Sequence, residues 1–169
     1  MKWRAALIDG NLYDLGHLHP FSFALELPER GKLPAASFEI EVSFGLHCFT
    51  EEIKPTDPVA WHYADLRETR TFNLVRYELS LQLPAIIRDL DRRRCYHGRY
   101  NNFMTFEVLR DGIIVHYQIY FQVSKSRLLA NRLSLFVQSA YPKQVPHKVQ
   151  REKPCLFKAI CAMAAGIDT

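Results

Sequence analysis

The 169-residue chain lacks most of the features that mark membrane, secreted or nucleotide-hydrolysing proteins. No stretch approaches the roughly 18 to 20 consecutive apolar residues needed to span a bilayer, so no membrane segment is expected. The opening, MKWRAALIDGNLYDLG, has two early cations, but its apolar run from Ala5 to Ile8 stops at Asp9. That run is too short for the core of a secretory signal, and the expected setting is cytoplasmic. Cysteine is scarce. Cys48, Cys95, Cys155 and Cys161 stand 47, 60 and 6 residues apart, with no Cys-x-x-Cys pair, so they read as small buried thiols rather than a zinc knuckle or redox couple. His17 and His19 form a His-x-His pair with no third ligand nearby, a weak zinc signal, and no metal or cofactor is expected. The glycine patterns of P-loop enzymes, dinucleotide-binding folds and serine hydrolases are all absent.

What is present is ordinary globular composition, 48% hydrophobic, 24% charged and 12% aromatic, in a length suited to one domain. The net charge of +4 is unevenly distributed. Residues 1–66 carry 5 Lys/Arg against 10 Asp/Glu, whereas residues 67–99 carry 8 Arg against 4 acids. An acidic front therefore precedes a basic body.

Residues 1–36, punctuated by Gly10, Gly16, Pro20, Pro28, Gly31 and Pro34, read as an irregular N-terminal arm. A body over residues 37–142 follows, and residues 143–169 form a basic C-terminal extension. Phe38, Ile40, Val42 and Phe44 alternate with Glu39, Glu41 and Ser43, the period of a strand with one buried face. The prolines of residues 54–60 impose a loop. Leu81, Ile86, Ile87 and Leu90 recur at helical spacing, predicting a principal helix over residues 81–93, with Ser80 as its cap and Pro84 in its first turn. Strands are predicted over 103–109, 113–123 and 133–140, the first two joined by a turn at Arg110-Asp111-Gly112. A short helix is predicted over 156–165. The expected class is α+β, a twisted antiparallel sheet of about four strands with one helix on a face.

Three polar clusters could carry chemistry. His47, Cys48 and Thr50 end the first strand, where a rigid scaffold meets an open loop. Adjacent strand residues point to opposite faces, so His47 and Cys48 are not expected to form a nucleophile–base pair. Arg67, Arg70 and Arg76 with Tyr77 could clamp a phosphodiester, because guanidinium forks match phosphate oxygens; internal pairing of Arg76 with Asp65 or Glu78 is the competing reading. The exit of the last strand offers Ser139 and Tyr141, near Lys143 and His147; the period of two places Ser139 on the side of Val137.

The order of helix then meander, the cationic centre and the terminal strand LSLFVQSAY are together similar to the small ribonuclease toxins of the RelE and barnase–colicin group. The resemblance covers roughly residues 37–142 and implies a helix packed on a four-stranded antiparallel sheet whose polar side chains cleave RNA. Against that pattern, this chain is longer and has an acidic leader.

The leading expectation is a metal-independent ribonuclease, a toxin or mobile-element protein. His47 or His116 would act as base, Arg70 and Arg76 would stabilise charge, and Tyr141 or His147 would donate a proton. Arg67, Tyr77, His116, Ser139, Lys143 and His147 would bind substrate. The alternative is a non-catalytic accessory protein that grips RNA or protein. A protein inhibitor or other partner, or an oligomer built through a sheet edge, is compatible with either reading.

Overall fold

The computed structural model describes residues 2–29, 35–98, 103–107, 116–126, 131–143 and 155–167. The N-terminal segment is not an irregular arm. It opens with a hairpin, β1 (Ala6–Ile8) and β2 (Asn11–Tyr13), turned at Asp9 and Gly10. Both turn residues have positive φ, 48° and 78°, as a two-residue hairpin requires. After a 3-10 turn at Gly16–Leu18 comes β3 (Phe21–Leu27). Phe21, Phe23 and Leu25 alternate with Ser22, Ala24 and Glu26, so this strand, like the next, has one face for the core.

The long strand β4 (Ala36–His47) is followed by β5 (Thr50–Glu51), a 3-10 turn at Val59–Trp61, β6 (His62–Ala64) and β7 (Thr69–Phe72). In place of one principal helix there are two short ones, α1 (Leu74–Ser80) and α2 (Leu83–Arg88), then a 3-10 turn at Leu90–Arg92. Asn73 caps α1 by accepting the Arg76 N–H on its side chain at 2.9 Å. Pro84 lies in the first turn of α2, where its missing N–H costs nothing. Ser80 does not cap α2. Its hydroxyl donates back to the Tyr77 carbonyl at 2.6 Å. The chain continues through β8 (Arg94–His97), β9 (Phe103–Glu107), β10 (His116–Lys125), β11 (Arg132–Lys143) and β12 (Cys155–Leu156) to α3 (Phe157–Ala165). The predicted turn at residues 110–112 lies outside the described residues.

The class is α+β, but the sheet is wider than four strands and is not purely antiparallel. Seven strands lie in the order β12-β8-β9-β10-β11-β4-β3. β4 and β11 pair in parallel and every other neighbouring pair is antiparallel. A second sheet, β5-β7-β6, continues from the end of β4. The extra strands arise because β3 joins the edge beside β4, while β8 and β12 extend the other side.

Ile40, Val42, Ile119, Phe121, Leu133, Leu135 and Val137 line one face of the large sheet and are essentially inaccessible. Leu83 and Ile87 of α2 and Phe157 and Ile160 of α3 are buried in the same core. The rings of Phe121 and Phe157 meet at 6.2 Å, edge to face. A second packing centre lies beyond the end of β4, where Phe49 meets Tyr63 at 5.1 Å and Trp3 at 5.2 Å. Burying each such ring stabilises the fold by about 1.5–3 kcal/mol. The opposite face of the large sheet carries exposed Ser22, Glu39 and Glu41 and half-buried Gln122, Ser134 and Phe136. Among the described residues, no helix is long and apolar enough to cross a membrane.

Candidate functional site

The parallel pairing of β4 and β11 sends their carboxyl ends to the same edge of the sheet. There His47 stands beside Ser139, and Ser139 faces Tyr120 across β10. Two irregularities shape this corner. The register of β11 shifts between Val137 and Ser139 against β4, and β10 shifts between Tyr120 and Phe121. One extra residue, Gln138, is thereby bulged out, and the period of two breaks. Ala140 rather than Ser139 is buried after Val137, which corrects the expectation that Ser139 shares the face of Val137. Gly45 lies under the bulge. A Cβ there would meet the Gln138 carbonyl oxygen at 2.7 Å and the Phe136 ring at 3.1 Å, so only glycine lets the strands approach this closely.

His47 projects from this corner with its Nε2 at 2.7 Å from Glu68 Oε1, both side chains about two-fifths exposed. Glu68 also approaches Arg70, at 3.5 Å from Oε2 to Nη1. Partial burial opposes ionisation of Glu68, but the His47 hydrogen bond and the charges of His47 and Arg70 outweigh it and hold the carboxyl below its ordinary value. Arg70 reaches inward, donating from Nε to Thr50 Oγ1 at 3.1 Å, and Thr50 in turn donates to the Leu46 carbonyl at 2.7 Å. Arg76, from α1, donates through Nη1 to the carbonyls of Thr50 at 2.6 Å and His47 at 3.3 Å. It therefore ties the backbone of the β4–β5 corner rather than meeting Asp65 or Glu78 there. Burial draws its pKa below the usual arginine value, opposed by nearby Glu51, yet an arginine remains charged at neutral pH.

The guanidinium carbon of Arg76 also lies 5.1 Å from the ring centre of Tyr141, and Lys143 Nζ lies 5.9 Å from the same ring. Tyr141 stacks on Tyr120 at 5.6 Å with the planes 21° apart. Burial and a hydrogen bond to Tyr141 push the phenol of Tyr120 up, and its hydroxyl donates to Gln118 Oε1 at 2.8 Å.

His47, Arg70, Arg76, Tyr141, Ser139 and Lys143 thus form one contiguous constellation. His116 sits at its margin, paired across strands with Lys143. Arg67 does not join: it is 68% exposed and turns to Asp65 at 3.5 Å. Tyr77 is not part of a clamp either. It packs among Tyr13, Phe72 and His17, because α1 turns it away from Arg76 and into the aromatic centre. His147 lies outside the described residues. Sequence reasoning missed Glu68, the partner of His47, whose only local signal was a carboxylate inside an arginine-rich segment. It also missed Gln118 as the anchor of the tyrosine pair.

Cys48, next to His47, is fully buried, directs its Sγ at the Val137 carbonyl at 3.6 Å, and is pushed up to about 12 by burial. It is an inert core thiol. The His-x-His pair is divided: His17 Nε2 lies 2.8 Å from Ser80 Oγ and His19 Nε2 lies 2.9 Å from the Trp3 carbonyl. Among the described residues no group of three His, Cys, Asp or Glu could hold a metal ion.

The family model of the YjaZ family matches residues 5–165. The chain belongs to the YjaZ family. The match takes in the His47–Glu68 corner of this YjaZ chain and, of the second packing centre, Phe49 and Tyr63, and it begins after Trp3. No curated protein and no solved structure matches it.

Proposed function

We propose that the His47–Glu68 corner is an acid–base site for metal-independent cleavage of RNA. The observation that carries this reading is the 2.7 Å contact between a half-exposed imidazole and a half-exposed carboxylate beside Arg70. With Nε2–H donated to Glu68, Nδ1 of His47 presents a lone pair to solvent and takes the proton of a ribose 2′-hydroxyl. The 2′ oxygen bonds to phosphorus as the bond from phosphorus to the 5′ oxygen breaks. Arg70 faces the charge that develops on the phosphoryl oxygens, and Tyr141 donates a proton to the leaving oxygen. The products are a 2′,3′-cyclic phosphate and a 5′-hydroxyl. Arg76 is a positioning residue that fixes the backbone carrying His47 and the ring of Tyr141.

A second reading, a non-catalytic protein- or nucleic-acid-binding accessory protein, is favoured by the inward use of Arg70 and Arg76, whose Nε and Nη1 respectively serve internal oxygens and so hold the fold rather than a transition state. Incubating the folded protein with total RNA in EDTA, then analysing fragment ends, separates the two. Cyclic phosphate ends support cleavage, whereas intact RNA with the folded protein removes the catalytic reading and leaves the non-catalytic one.

A further inference from the structure

The His47 corner opens onto the face of the large sheet opposite the helical layer. Alternation along the strands, corrected for the bulge, puts Gln118, Tyr120 and Gln122 of β10 on that face. Their neighbours on β11 are Tyr141, Ser139 and Phe136, with Ser139 in register with His47. The rings of Tyr120, Tyr141 and Phe136 are half-buried, and Phe136 is absent from the helix-side core. They form a row two strands wide that leads to His47. Cations flank it at the His47 end, where Arg76 and Lys143 lie 5.1 and 5.9 Å from the Tyr141 ring centre. At the far end Arg132 bridges Glu39 and Glu41, so the acids of this face are engaged beside the row rather than on it.

The ring pair is braced from beneath. The Tyr120 hydroxyl donates to Gln118 Oε1, and Tyr120 stacks on Tyr141 at 5.6 Å. Gln118 is fully buried, its Nε2 included, so it supports the rings and does not itself face a ligand. Half-buried aromatic rings bordered by cations match unpaired nucleobases on a phosphate chain, since every base offers a π face. A duplex hides its base faces and cannot use the rings.

We propose that this ring row is a stacking platform for single-stranded RNA, with bases on Tyr120 and Phe136 and the backbone delivered to His47. The proposal rests on the RNA reading of the same corner and narrows its substrate to unpaired strands.

The test is fluorescence anisotropy with a 12-nucleotide 2′-O-methyl oligouridylate, which cannot be cleaved, against a blunt duplex of equal length. Both are measured in EDTA at about 0.1 M salt, because phosphate contacts are salt-dependent. The single strand is expected to bind roughly tenfold or more tightly than the duplex, and Tyr120→Leu to lose roughly tenfold, in line with the worth of one stacked base. Tyr120→Phe keeps the ring and retains binding. Phe136→Leu, at a half-buried position, supplies the same reading if Tyr120→Leu fails to fold. Equal binding of strand and duplex, or wild-type binding by both leucine variants in folded form, overturns the platform. Cleavage of RNA in the parallel assay alongside that result leaves the catalytic reading standing. Ring-dependent binding without cleavage supports the platform and removes the ribonuclease. No binding and no cleavage removes both.

Discussion

His47 and Glu68 meet at 2.7 Å although β5, a 3-10 turn and β6 intervene between them. The contact exists because β7 folds back along β5, and the loop before β7 carries Glu68 over the end of β4. The carboxylate orients the imidazole through one ring nitrogen, Nε2. Replacing Glu68 by Gln keeps a hydrogen-bonding group but removes the charge. Glu68→Gln is expected to lower RNA cleavage about tenfold to a hundredfold while leaving the melting temperature within a few degrees, since exposed ion pairs contribute about 0–1 kcal/mol. Cleavage rates and thermal melts of the two proteins check it.

Arg76 holds two carbonyls at one corner through Nη1 while its guanidinium carbon lies 5.1 Å from the Tyr141 ring centre, a reach and a planar contact that the shorter, compact lysine head does not reproduce. Arg76→Lys is expected to destabilise the protein by about 1–3 kcal/mol, because buried carbonyls lose their donor. Urea denaturation at neutral pH checks this, and a denaturation midpoint equal to wild type contradicts the role.

Gly45→Ala would drive a Cβ into the Gln138 carbonyl at 2.7 Å, and backbone cannot move aside as a flexible side chain can. Overpacking of this kind costs about 1–3 kcal/mol. At this chain length that corresponds to a fall in Tm of about 3–10 °C in a calorimetric scan.

Acid sensitivity follows from the carboxylates. Hydrogen bonds from Thr71 and the Lys54 N–H hold Asp57 below its ordinary value. Burial opposes ionisation of Asp65, but the N–H groups of Arg67 and Glu68 overcome it. Hydrogen bonds from Ser22 and Arg132 lower Glu39. Each depressed group binds fewer protons folded than unfolded, so its contribution is complete above the ordinary carboxylate range and is lost as pH falls through the folded values. Stability is expected to be level from about pH 7 to 5 and to fall below about pH 4. Asp57→Asn should lower neutral stability and flatten that fall, which denaturation midpoints across pH will show.

Burial pushes the thiols of Cys48, Cys95 and Cys161 up to about 12. Reaction with a thiol reagent requires thiolate and access, so these three should react only after unfolding. Cys155, half-buried, is the one described cysteine expected to react with Ellman's reagent in the native protein, and Cys155→Ser should abolish the fast phase.

Much of the core was legible in local pattern. The alternation from Phe38 to Phe44 marks β4, and the tolerance of helices for proline at their start places Pro84 correctly. β3 had the same alternation, Phe21 to Leu25, but Pro20 and Pro28 at its ends made it read as punctuation instead of the bounds of a strand. Long-range pairing left no such trace. Nothing local says that β4 runs parallel to β11, yet this pairing brings His47 to Ser139. The bulge at Gln138 also defeats the period of two, which is why Ser139 was assigned to the wrong face. Partners chosen through space, such as Glu68 for His47 and the backbone carbonyls for Arg76, follow from those pairings and are invisible without them.

The most direct measurement is the initial rate at which the purified, folded protein cleaves end-labelled single-stranded RNA in EDTA, compared with His47→Ala. The wild type is expected to cleave and to leave 2′,3′-cyclic phosphate ends, with the variant about 10²- to 10⁴-fold slower at unchanged Tm. Intact RNA with the wild type, or a variant that cleaves as fast, contradicts an acid–base site at His47.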